Sequence, residues 1–162
     1  MIRSCLIAAS LLSALIPALA QTSGGQGPLG NLPHDWTREE RNGRVYYTAP
    51  DGEALAVFYR GEFWAAADIV DQFAMGYEII GCTRLEASES DAVTPVAFHE
   101  VRCPEGVGPA RVVFLGVSAS EDVELSVTLQ PGDGESGEAL VADMRSALRD
   151  VAENRISLPT RW

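Results

Sequence analysis

Two runs of strand-type alternation, each closed by a single helical stripe, constrain the fold of this chain more than any one residue does. From Trp36 to Tyr59, "WTREERNGRVYYTAPDGEALAVFY", short runs of aromatic and β-branched residues are interrupted by Asn42-Gly43 and Asp51-Gly52. Asn, Asp and Gly tolerate positive φ and so favour tight hairpins. Three short strands are expected here, two of them carrying Val45–Thr48 and Leu55–Tyr59. The spacing then becomes helical. Phe63, Ala66, Ala67, Val70, Phe73 and Ala74 share one stripe, and Glu62, Asp68, Asp71 and Gln72 mark the opposite side. A helix is predicted from about Glu62 to Met75, with Gly76 as its stop. Trp64 is offset from the stripe and is expected at the edge of the core.

The second run follows the same plan. Strand-like segments cover Tyr77–Leu85, Val96–Cys103, Arg111–Ser118 and Val123–Leu129, with the polar loop Glu86–Pro95 between the first two. "QPGDGESGE" breaks the chain, and an amphipathic segment then places Leu140, Met144, Ala147, Leu148 and Val151 on one face. Ser136 is the expected N-cap, Glu138 lies in the first turn, and Arg145, Arg149 and Arg155 lie toward the C-terminal end. Strands do not alternate strictly with helices. The pattern therefore predicts an α+β fold, a mainly antiparallel sheet of about six to seven strands with two helices packed on it, rather than a doubly wound sheet. The domain is expected to span 32–158, before a tail at 159–162, and there is no internal repeat.

The amino-terminal stretch "MIRSCLIAASLLSALIPALAQ" has one arginine, Arg3, then an apolar run, then Ala18-Leu19-Ala20. That is the layout of a secretory signal peptide over 1–20, with cleavage after Ala20. Ser10, Ser13 and Pro17 interrupt the run, which falls short of the ~20 apolar residues that a membrane span requires. Cys5 precedes the apolar region instead of following it, so it does not read as a lipidation site. The processed protein is expected in the periplasm or outside the cell, without an integral membrane segment.

Residues 21–31 are rich in Gly, Ser, Gln and Pro and read as a flexible linker. Within them Gly25, Gly27 and Gly30 spell G-x-G-x-x-G. A dinucleotide loop needs a strand before it and a helix N-terminus after it. Here no strand precedes, Pro28 lacks an N–H, and no helical spacing follows. No nucleotide cofactor is expected.

Export leaves Cys82 and Cys103 as an even pair, which favours a disulfide. Both lie near the far ends of consecutive predicted strands. Opposite residues in a hairpin share a constant index sum, and the register that pairs the cysteines also puts Glu86 opposite His99. That carboxylate could raise the imidazole pKa and form an acid–base pair, or it could be a surface ion pair. His34, in the linker region beside Pro33, is a poor catalytic position. The acidic turns "EASESD", "SASEDVE" and "GDGESGE" do not match a calcium loop and read as solvated turns. No metal site is expected, and no hydrolase, zinc-protease or phosphate-loop motif occurs.

The stretch "LPHDWTREERNGRVYYTAPDGEALAVFY" (Leu32–Tyr59), the helix after it and the terminal helix resemble the Mog1/PsbP-like family of small α+β domains. The likeness is one of element order and of a Trp-plus-two-hairpins opening. It implies an accessory or binding role and carries over no functional residue. Charge narrows the partners further. With 12 basic residues, all arginine, against 23 acidic ones, the net charge is −11. Such a surface repels phosphate backbones, so nucleic acid is excluded as a partner. The expected function is that of an exported, non-catalytic accessory or binding domain for a protein or small ligand. A small enzyme built on His99 and Glu86 and a structural envelope protein are the two alternatives.

Overall fold

The computed structural model describes residues 27–61, 64–85, 95–120, 123–132 and 134–158. The proposed signal peptide, with Ala20, and Glu86 lie outside them. Seven strands form one sheet: β1 (Thr37–Arg41), β2 (Arg44–Thr48), β3 (Leu55–Gly61), β4 (Thr83–Leu85), β5 (Ala97–Arg102), β6 (Arg111–Ser120) and β7 (Val123–Gln130). Helix α1 (Ala66–Ile79) follows β3, and α2 (Glu135–Ala152) follows β7. The sheet order is β1-β2-β3-β7-β6-β5-β4, and every neighbouring pair is antiparallel. The α+β class read from the pattern is the class observed.

The first hairpin turns as its dipeptide dictates. Asn42 and Gly43 have φ of 53° and 70°, the pair of positive values a type I′ turn requires. Across the sheet, alternation sorts side chains to two faces. Val113, Leu115 and Val117 of β6 join Val45, Phe58, Val127 and α2's Val141, Met144 and Leu148 in one buried cluster. Val112 and Phe114, one residue out of step, join Val101 and α1's Val70 and Ala74 in another. The two helices therefore lie on opposite faces. Gly116 lets α1 approach the sheet closely, since a Cβ there would stand 2.8 Å from the Ala66 carbonyl oxygen.

Several expected boundaries move. Helix α1 runs through Gly76 to Ile79, and β4 begins only at Thr83. The stop is Gly81, with φ of 101°. Its N–H donates to the Glu78 carbonyl, and the Cys82 N–H donates to that of Tyr77, both at 3.0 Å. These paired bonds close the helix as a Schellman motif, and Tyr77 belongs to the helix because its ring packs against Phe114. At the start, Ala65 offers no side-chain cap. Instead Glu124 of β7 accepts the Ala66 N–H at 2.8 Å and the Ser118 hydroxyl at 2.9 Å.

Helix α2 likewise begins before the residue expected to cap it. Gly134 is the N-cap and Ser136 lies inside the first turn. The packed chain also starts earlier than the expected linker boundary. Leu29 and Leu32 are buried beside Trp36 in the α2-side core, and the Asn31 amide donates to the Met144 sulfur. Part of the Gly-rich segment is thus a lid on that core. Trp64, expected at the core's edge, is 60% exposed, because α1 begins after it and carries it beyond the packed stripe.

Candidate functional site

Helix α1 leaves much of its face of the sheet open, and simple dimensions explain why. A helix with its side chains is ~10–12 Å across, and strands are spaced ~4.8 Å apart, so one helix covers about two or three strands. On the opposite face, Leu29, Leu32 and Trp36 supplement α2. On this face α1 packs mainly over β5 and β6 and only touches β4 and β7 at its margins, and the surface of β2 and β3 beside it stays open.

The result is a groove of about 410 Å³. Val57, Leu55 and Thr128 form its floor, and Phe73 and Gly76 of α1 with Ile80, the helix C-cap, form one wall. Tyr77 lines it too, and burial raises its phenol above the ordinary pKa, so it stays a neutral hydrogen-bond donor. Arg44 stands at one end and also lines an adjoining depression of about 210 Å³ with Tyr59, Trp64 and Ile69. Its guanidinium lies 5.6 Å from the Tyr59 ring centre and 5.5 Å from that of Phe73.

Gly76 is the residue of this wall that packing does not explain. A glycine in a helix interior costs ~0.5–1 kcal/mol relative to alanine. A Cβ at Gly76 would meet nothing within 4 Å, so no neighbour demands its absence. What the missing side chain does provide is an open groove mouth. Met75 and Ile79 on the outer ridge and Ile80 on the groove side are exposed, Ile79 at 85%.

The residues singled out from sequence lie on the other flank of α1. His99 projects from β5 on the α1 face, opposite Phe114 in register, with its Nε2 3.6 Å from Asp71 of the helix. Arg84 donates to the Asp71 carboxylate at 2.6 Å and to that of Glu78 at 2.7 Å. Burial pushes the His99 imidazole below its ordinary pKa of 6.5 and the Arg84 charge adds to this, while Asp71 and Glu78 oppose it. The direction is opposite to the rise that an acid–base pair with a facing carboxylate could give. Sequence spacing offered Glu86 as the partner, and Glu86 lies outside the described residues; among those described, Asp71 of the helix stands beside His99. His99 lines neither the groove nor the adjoining depression. Among the described residues no cluster of three or more His, Cys, Asp or Glu side chains is arranged to hold a metal.

The β4–β5 register pairs Thr83 with Arg102, Arg84 with Val101 and Leu85 with Glu100. It is the register the cysteine pairing predicts, and Cys82 and Cys103 are bonded with their Cα atoms 4.2 Å apart. The acidic turns contribute Glu124 to the α1 cap and Glu138 to an ion pair, in which Arg111 bridges Glu138 and the buried Glu100. Sequence reasoning missed the groove itself. Its signals were present in the exposed Trp64 and the mid-helix Gly76, which were read as core edge and helix stop. No protein-family model, curated protein or solved structure matches the chain.

Proposed function

We propose that this protein is an exported, non-catalytic binding domain whose ligand lies in the groove between α1 and the open surface of β2 and β3. The observation that carries the reading is the groove's construction. Its volume of about 410 Å³ falls within the ~300–1,000 Å³ of small-molecule sites, which combine apolar walls with a few placed polar groups. Gly76 supports it independently, as a helix-interior glycine whose cost the packing leaves unexplained. The signal-like residues before Gln21 and the Cys82–Cys103 bond support export into an oxidising compartment. The Mog1/PsbP-like resemblance enters as a fold-level analogy to binding and accessory domains, and the role is argued from the site.

The test is Nile red, an uncharged apolar dye, with a Gly76→Leu variant. The variant adds bulk at the groove wall on a helical position with space for it. Dye fluorescence should rise with the native protein and fall by most of its amplitude in the variant at unchanged helix content. Equal dye binding by the two proteins would reject the groove as the site.

A further inference from the structure

The polarity of the groove identifies its ligand class. The groove and its adjoining depression are lined by one arginine and, among the described residues, by no aspartate or glutamate. This occurs in a chain with 23 acidic residues against 12 basic ones. Arg38, Arg41, Arg84, Arg102, Arg111 and Arg155 each stand within 4.0 Å of a carboxylate. Arg44 is instead placed against the Tyr59 and Phe73 rings. A guanidinium held over aromatic rings keeps its in-plane N–H groups for an acceptor, and their fork matches a carboxylate.

Resting on the groove reading above, we propose that the ligand is a small amphipathic carboxylate, its head bound by Arg44 and its hydrocarbon body lying along Val57 and Leu55 toward Ile80. Arg44 faces Tyr59 in register, and Tyr59 and Leu55 lie four residues apart on β3, ~13 Å at ~3.3 Å per residue. That length suits a medium alkyl chain or an elongated aryl body. The net charge of −11 does not prevent this. Screening at physiological salt acts over ~8 Å, so the charges at the head group decide, and the one lining this end is positive.

Calorimetric titration with decanoate, decanol and decylammonium, each below its micelle concentration, separates head group from tail. The native protein should bind decanoate about tenfold more tightly than decanol, as expected for one charge-assisted contact, and decylammonium least. Arg44→Gln should bring decanoate to the decanol level and leave decanol affinity unchanged, which also shows that the variant is folded. Arg44→Lys, which keeps the charge but not the fork, should prefer decanoate to decanol less strongly than the native protein does; a preference for decanol or decylammonium over decanoate in the native protein would overturn the proposal. Equal binding of all three, each displacing Nile red, would overturn the carboxylate assignment and leave the groove reading standing. Failure of all three to bind or to displace the dye would overturn this proposal, and dye binding unaffected by Gly76→Leu would separately overturn the groove.

Discussion

His99 shows how a single side chain acquires its chemistry from packing. The imidazole is partly buried between β5 and α1, with Asp71, Arg84 and Glu78 around it. Its folded pKa lies below the ordinary 6.5, so between those two values the unfolded chain binds more protons than the folded one. Stability from this residue is therefore fully present above pH ~6.5 and is lost as pH falls through the folded pKa. An NMR titration should give a midpoint below 6.5, and His99→Asn should flatten the decline of unfolding free energy on acidification. A midpoint at or above 6.5 would contradict this account. The strand register pointed to Glu86, which lies outside the described residues, and gave no hint of Asp71. Asp71 is distant in sequence and reaches the histidine only because α1 crosses the sheet, a packing choice no local spacing encodes.

At the level of the element, α1 departs most from its sequence pattern, and both ends have physical reasons. Of the apolar stripe, Ala66, Val70 and Ala74 are buried as predicted, whereas Ala67 is exposed and Ile69, outside the stripe, is buried. Gly76 looked like a terminator because glycine commonly follows helices, but the closure needs positive φ, which Gly81 supplies. The N-terminal cap was invisible for a different reason, since Glu124 belongs to β7, 58 residues away. Replacing Gly76 by alanine should raise stability by about 0.5–1 kcal/mol, because an unstrained helical position gains propensity without a clash. Urea denaturation measures it. A destabilised Gly76→Ala protein would mean that the position is tightly packed, against the open wall described.

Across the whole molecule, local signals fixed the strands and helices, while the arrangement depended on contacts far apart in sequence. Dipeptide turns mark the first hairpins, and the cysteines mark the β4–β5 register. The pairing of β7 with β3 joins strands distant in sequence, and nothing on that edge of β7 names its neighbour, whereas β6 and β7 are consecutive strands that pair as a hairpin. The disulfide then constrains the part of the sheet where β4 has only three residues. Closing a segment with sequence separation 21 should contribute about 3 kcal/mol if the reduced chain is fully unfolded. The double variant Cys82→Ala, Cys103→Ala should lose about that much in urea denaturation; an unchanged midpoint would show that the bond does not limit unfolding.

Everything functional rests on α1 leaving a receptive trough over β2 and β3, and heteronuclear NMR with decanol as an uncharged probe examines that trough residue by residue. Resonances of Val57, Phe73, Gly76, Tyr77 and Thr128 should shift saturably while those of Met144, Leu148 and His99 stay still. Shifts centred on the α2 side or around His99, or none at any residue, would contradict it.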